Sequence, residues 1–142
     1  MTLQTFLMPV VALVIWTLLI FLWLYATRIP AMTKAKIEPQ QASNPRGDWR
    51  DSLPDRVNWV ADNYNHLHEQ TTIFYVLMFT IALMEKTSTF ALGIAWLYVA
   101  LRVLHSLSQM IGNWVMLRFS LFFLSGLSLI ILALCAVLTK VP

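Results

Sequence analysis

Four stretches of the chain alternate apolar and polar positions in a way that suits membrane helices. From Phe6 to Ala26 run 21 residues without a charge, a helix of roughly 31 Å, long enough for one bilayer core. No Lys or Arg precedes this run and it is longer than the apolar region of a secretory signal, so it reads as a retained first helix over 6–26. Arg28 to Asp51 carries Pro30, Pro39, Pro45, Gly47 and charges of both signs, and reads as a polar loop over about 28–52. Ser52 stands where it would cap the next helix, with Pro54 in the first turn and Asp55 in capping-box position. That second helix, 55–84, is polar through Thr72 and apolar from Ile73 to Met84. The apolar part is too short to span alone, so a crossing has to take in some of His66, His68 and Glu69.

After the polar connection Glu85 to Ser88, the third helix, 89–111, is apolar except for Arg102, His105 and a few hydroxyl or amide groups. Gly112 and Asn113 suit a helix C-terminus. The 20 uncharged residues from Phe119 to Leu138 then supply a fourth helix over 117–138, in which Ser125, Gly126 and Ser128 permit close helix contact. The pattern predicts a single all-α domain over 1–142, an integral membrane four-helix bundle that crosses the bilayer four times.

Composition agrees: 58% of residues are hydrophobic and only 12% charged, so lipid is the partner for most of the surface. Cys135 is the only cysteine, which excludes an intrachain disulfide, and its apolar neighbours make it a small buried side chain. On the four-span pattern Arg28, Lys34, Lys36, Arg46, Arg50, Arg56, Arg102 and Arg118 lie toward one side, and Lys86 and Lys140 toward the other. The positive-inside rule makes the long loop cytoplasmic and puts both termini outside. No basic run has the regularity of a nucleic-acid surface, which excludes that class of partner.

Ionisable groups inside a span cost about 2.5 to 3.5 kcal/mol each and normally face other helices or a watered cavity. On the second helix, Asp62, His66 and Glu69 are spaced four and three apart and share a face, while His68 points elsewhere. On the third, Tyr98, Arg102, His105 and Gln109 form a matching stripe. Glu69 and Arg102 are placed at a similar depth and are expected to form a buried ion pair. The stripes fit either mutual neutralisation that fixes helix register or a polar cavity for an anionic or zwitterionic ligand. Arg118, at the start of the fourth helix, adds a cation where the helix dipole also favours anions. His66, Glu69 and His105 have a spacing that permits a metal, but the neighbouring Arg102 opposes a cation and no metal ligand is assigned.

Two segments resemble the membrane-associated proteins in eicosanoid and glutathione metabolism, the MAPEG family. Asn63 to Tyr75, NYNHLHEQTTIFY, is similar to its second-helix segment, with a Glu followed by an apolar run. Tyr98 to Phe119, YVALRVLHSLSQMIGNWVMLRF, is similar to its Arg-x-x-His third helix followed by an Arg opening the fourth. The resemblance implies a bacterial-type member in the inner membrane. It also implies a homotrimer with polar cavities between protomers on the cytoplasmic side, where the enzymes of the family bind glutathione. Carried over, Arg118 matches the Arg that stabilises the glutathione thiolate, the catalytic role, and Glu69, Arg102 and His105 match the polar framework. His66 and Gln109 stand at ligand-contacting positions, where the family's enzymes carry Asn and the eicosanoid enzymes Tyr. Asp62 and Asn65 stand where ligand-binding Arg residues are usual.

The implied activity is that of a glutathione-dependent transferase or peroxidase acting on hydrophobic electrophiles drawn from membrane lipid. A non-enzymatic lipid- or partner-binding protein of the same fold is the alternative, and a metal-dependent membrane enzyme a more distant one.

Overall fold

The computed structural model describes residues 1–138 and is all-α. Its four long helices are α1 (Leu3–Lys34), α2 (Asp55–Leu83), α3 (Thr89–Ile111) and α4 (Val115–Leu138). Lys140 lies outside the described residues. Three of the four, α1, α3 and α4, are long and apolar enough to cross a membrane. The polar first half of α2 sets it apart, although it packs against each of the other three.

α1 is 32 residues long and continues well past Ala26, where the polar loop was expected to begin. Pro30 removes a single main-chain donor, and the good helix formers Ala31, Met32 and Lys34 carry the helix one further turn. It stops at Lys36, which adopts a left-handed φ of 55°. Lys36 N–H then bonds Thr33 O at 3.1 Å, and Ile37 N–H bonds Met32 O at 3.0 Å. α2 ends the same way: Glu85 has a φ of 57° and Lys86 N–H reaches Ile81 O at 3.0 Å. Both are Schellman closures built without glycine, which satisfy carbonyls that the helix end would otherwise leave unpaired.

The start of α2 differs from expectation. Ser52 closes a short 3-10 turn (Asp48–Ser52) and Pro54, not Ser52, occupies the cap position, with no side-chain bond to the first turn. The reason is local: the residue before a proline is kept out of helical space, and Leu53 is extended at φ −100°, ψ 147°. Ser88 does cap α3, accepting from Ala91 N–H at 3.1 Å.

The connection between α1 and α2 is therefore shorter than the sequence suggests, and it is tied down at both ends. Arg28 of α1 lies 5.0 Å over the Trp49 ring. Arg50 donates to both Asp62 carboxylate oxygens, at 2.8 and 2.9 Å, and Asn58 donates to Arg50 O at 3.0 Å. Asp62 thus answers to the loop, although the sequence grouped it with His66 and Glu69.

The interior is graded along the bundle axis. At the end where α1 begins and α4 closes it is apolar, with Phe6, Leu13, Phe74, Ile81 and Leu132 fully buried. Phe74 stacks on Tyr98 with ring centroids 4.5 Å apart. At the loop end a smaller apolar cluster of Ile20, Val60, Leu67 and Met110 lies beside the buried polar residues of α3. Ser125 and Ser128 are buried where α4 meets its neighbours, and Ser125 donates to Gln70 Oε1 at 2.8 Å. Lys86, at the turn from α2 to α3, sends its ammonium to Ala136 O at 2.8 Å, binding the last turn of α4 where helix carbonyls lack partners.

Two outcomes follow. Lys86→Met keeps the aliphatic stem but leaves those carbonyls unpaired. It should lower stability by about 1–3 kcal/mol, read as a lower thermal unfolding midpoint in detergent. Asp62→Asn should cost under about 1 kcal/mol, because the Arg50 pair is partly exposed, but should speed limited proteolysis between residues 36 and 53.

Candidate functional site

α2, α3 and α4 converge at the loop end around a cleft of about 240 Å³, lined by His66, His105, Val115, Arg118, Phe119 and Phe122. Helical spacing explains the convergence. Arg102, His105 and Gln109 occupy one stripe of α3, and Arg118 and Phe122, four residues apart, occupy one stripe of α4. Its lining combines one guanidinium and two imidazoles with three apolar side chains.

Arg102 has no exposed surface. It donates through Nη2 to His66 O at 2.9 Å, so α3 is tied directly to the main chain of α2. Its guanidinium lies 5.7 Å from the centre of the Phe122 ring, while its Nε and Nη1 have no protein partner. The expected ion pair with Glu69 does not form. Glu69 instead pairs with His66 one turn back, Oε2 to Nδ1 at 2.7 Å, and its side chain is 58% exposed on the outer face of α2. A partner three residues away on the same helix is already in place when the helix forms. The Arg102 side chain is satisfied instead by the His66 main-chain carbonyl.

The His66 ring lies between two others. It stacks on Phe122 with centroids 4.8 Å apart and an interplanar angle of 20°, and its centroid is 4.9 Å from that of His105. His105 is buried, with Nδ1 unpartnered. Arg118 is half-buried at the cleft mouth, held by a hydrogen bond from Nη1 to Asn113 Oδ1, and its Nε is unpartnered. Asn113 takes a left-handed φ of 50° as α3 ends, with its N–H on Ser108 O at 2.8 Å, and this turn aims its amide at Arg118.

Of the six residues singled out from the sequence, His66, His105 and Arg118 line the cleft. Arg102 adjoins it through His66 and Phe122, and Glu69 borders it through His66. Gln109 is buried one turn from His105 and does not line it. His68 turns away, its Nδ1 2.8 Å from Tyr64 O. Among the described residues no cluster of three metal-ligating side chains occurs.

A family model described as MAPEG family matches residues 6–138. The chain belongs to the MAPEG family. No curated protein and no solved structure matches it. Family membership and three spanning-capable helices make it an integral membrane protein in contact with lipid.

Sequence reasoning missed Phe122 and Asn113, which build this MAPEG site, and Asn63 of α2, which does not line the cleft. Phe122 was readable from its spacing to Arg118. Asn113 was noticed only as a helix terminator. Asn63, fully buried on α2 with both amide atoms unpartnered, gave no signal beyond its own polarity. Phe122→Ala should reduce the ring-current shift on the His66 ring protons in NMR spectra to the part that His105 causes. Its stability cost should fall below the roughly 3–5 kcal/mol of a fully buried Phe, because Phe122 is partly exposed.

Proposed function

We propose that this MAPEG protein binds glutathione, or a closely related thiol, at the loop-end cleft and transfers it to hydrophobic electrophiles or uses it to reduce hydroperoxides. The observation that carries this reading is the cleft itself, in which Arg118, the two imidazoles of His66 and His105, and the apolar Val115, Phe119 and Phe122 come together. The unpartnered donors suit the ligand. Buried Arg102 has two N–H directions free, which match a carboxylate, and the exposed Glu69 carboxylate matches an ammonium group.

Glutathione supplies the nucleophilic thiol, and the protein's part is to hold it as thiolate and place it. Arg118, oriented by Asn113, puts a fixed positive charge where the sulfur becomes anionic. Arg102 and Glu69 position the rest of the molecule. The aromatic wall admits an apolar co-substrate from the bilayer and keeps bulk water from the reacting atoms.

A site with Glu69 exposed at membrane depth supports closure by a neighbouring copy, and the arrangement proposed is a homotrimer with the cleft between protomers. In this reading α2 is the fourth crossing, the return leg between α1 and α3. The membrane is the bacterial inner membrane, with residues 35–54 cytoplasmic and both termini outside.

One observation favours a second reading. Asp62 stands where family enzymes carry a ligand-binding Arg, and here it is engaged by Arg50, so one cation that would take a carboxylate is spent. A non-enzymatic protein of the same fold, binding a lipid, fits that feature.

Calorimetric titration of the detergent-purified protein with glutathione, followed by a conjugation assay with an aryl halide, separates the two. Saturable binding and turnover are expected. Arg118→Ala should lower turnover by roughly 10²-fold. It should also move the rise of rate with pH upward, toward the ordinary thiol pKa of about 8.5, because the thiolate loses its cation. Neither binding nor turnover in the wild type would leave the second reading.

A further inference from the structure

A second cleft, of about 260 Å³, opens at the loop end on a different side of the bundle, between α1, α2 and α3, and shares no residue with the first. Its floor is apolar: Val57 and Val60 of α2 and Met110 and Ile111 of α3. Trp23 of α1 forms one side and is 45% exposed. Arg56, in the first turn of α2, stands at the rim and is exposed. Neither ion pair among the described residues involves Arg56.

The height of this cleft defines its occupant. Trp23 lies three residues before the end of the uncharged run of α1, and Ile111 is the last residue of α3. The floor therefore belongs to the apolar layer, and the rim to the level where a bilayer changes from acyl chains to headgroups. Indole rings favour that level, and an Arg there keeps its stem on apolar surface while its guanidinium reaches the polar side. A soluble anion would leave the floor uncovered, and a zwitterionic lipid would bring its own ammonium group beside the Arg56 guanidinium and weaken the pairing.

We propose that this cleft is a binding site for an anionic phospholipid of the leaflet at the loop end. Arg56 takes the phosphate, the Trp23 ring lies against the glycerol region, and the first acyl carbons cover Val60, Met110 and Ile111. The cleft lies just below the range of about 300–1,000 Å³ usual for pockets that enclose a whole ligand, as suits a site that holds only the headgroup region. The site is independent of thiol chemistry. It anchors α1, α2 and α3 together where the shortened loop enters α2.

Native mass spectrometry of the full chain, delipidated in detergent and then supplied with phosphatidylglycerol or phosphatidylcholine, tests the assignment. The wild type should retain phosphatidylglycerol in preference to phosphatidylcholine. Arg56→Ala should weaken phosphatidylglycerol retention about fivefold, the equivalent of the roughly 1 kcal/mol that one basic side chain contributes at an anionic surface, and weaken phosphatidylcholine retention less. Lys34→Ala, which removes a cation outside the cleft, should keep the preference. Inorganic phosphate should fail to displace the lipid. Equal retention of the two lipids by the wild type, equal losses in Arg56→Ala and Lys34→Ala, or displacement by phosphate alone would each overturn the proposal.

Discussion

The hydrogen bond from Arg102 to the His66 carbonyl is the constraint on which the polar half of this bundle depends. A guanidinium with no exposed surface, inside a helix otherwise fit for lipid, needs its charge and five donors answered by the protein or by something the protein holds. One donor is answered by the main chain of α2, which fixes the relative height of α2 and α3. That height sets the His66 ring between Phe122 and His105, and the ring in turn holds Glu69 at the outer face. The Arg102 Nε and Nη1 have no protein partner.

Because α2 carries these groups, it cannot be a plain hydrophobic crossing. Its apolar half packs into the core beside Phe6, Leu13 and Tyr98, while its polar half is shielded by α3, by α4 and by the loop that Arg28 and Arg50 fasten down. Exposure of Glu69 shows where one chain's shielding ends. The apolar end of the bundle, clamped by Lys86 on the last turn of α4, is the rigid part against which the polar end is positioned.

The helices themselves were legible in the sequence because uncharged runs and 3.6-residue stripes are strong signals, and the α3 stripe of Tyr98, Arg102, His105 and Gln109 is buried as its spacing requires. The ends were less legible. Pro30 looked like a loop residue because proline usually ends helices, yet one lost donor did not outweigh a run of good helix formers. Ser52 looked like a cap because its spacing to Asp55 fits, yet Pro54 forbade Leu53 the necessary conformation. Partnerships were least legible. Glu69 and Arg102 matched in charge and depth, but periodicity places a residue on a face without saying how far a side chain reaches inward. Asp62 found Arg50 across a loop whose path no periodic signal describes.

The central claim is that the bond from Arg102 to the main chain of α2 fixes how α2 and α3 pack at the loop end. A buried cation that fixes nothing is usually replaceable by an apolar side chain of similar size at no cost, whereas one whose bond holds two helices in register is not. The thermal unfolding midpoint of Arg102→Met in detergent, without ligand, measures this most directly. A fall of about 5 °C or more, on the order of 1–2 kcal/mol for a chain of this size, is what the account predicts; an unchanged or raised midpoint would contradict it.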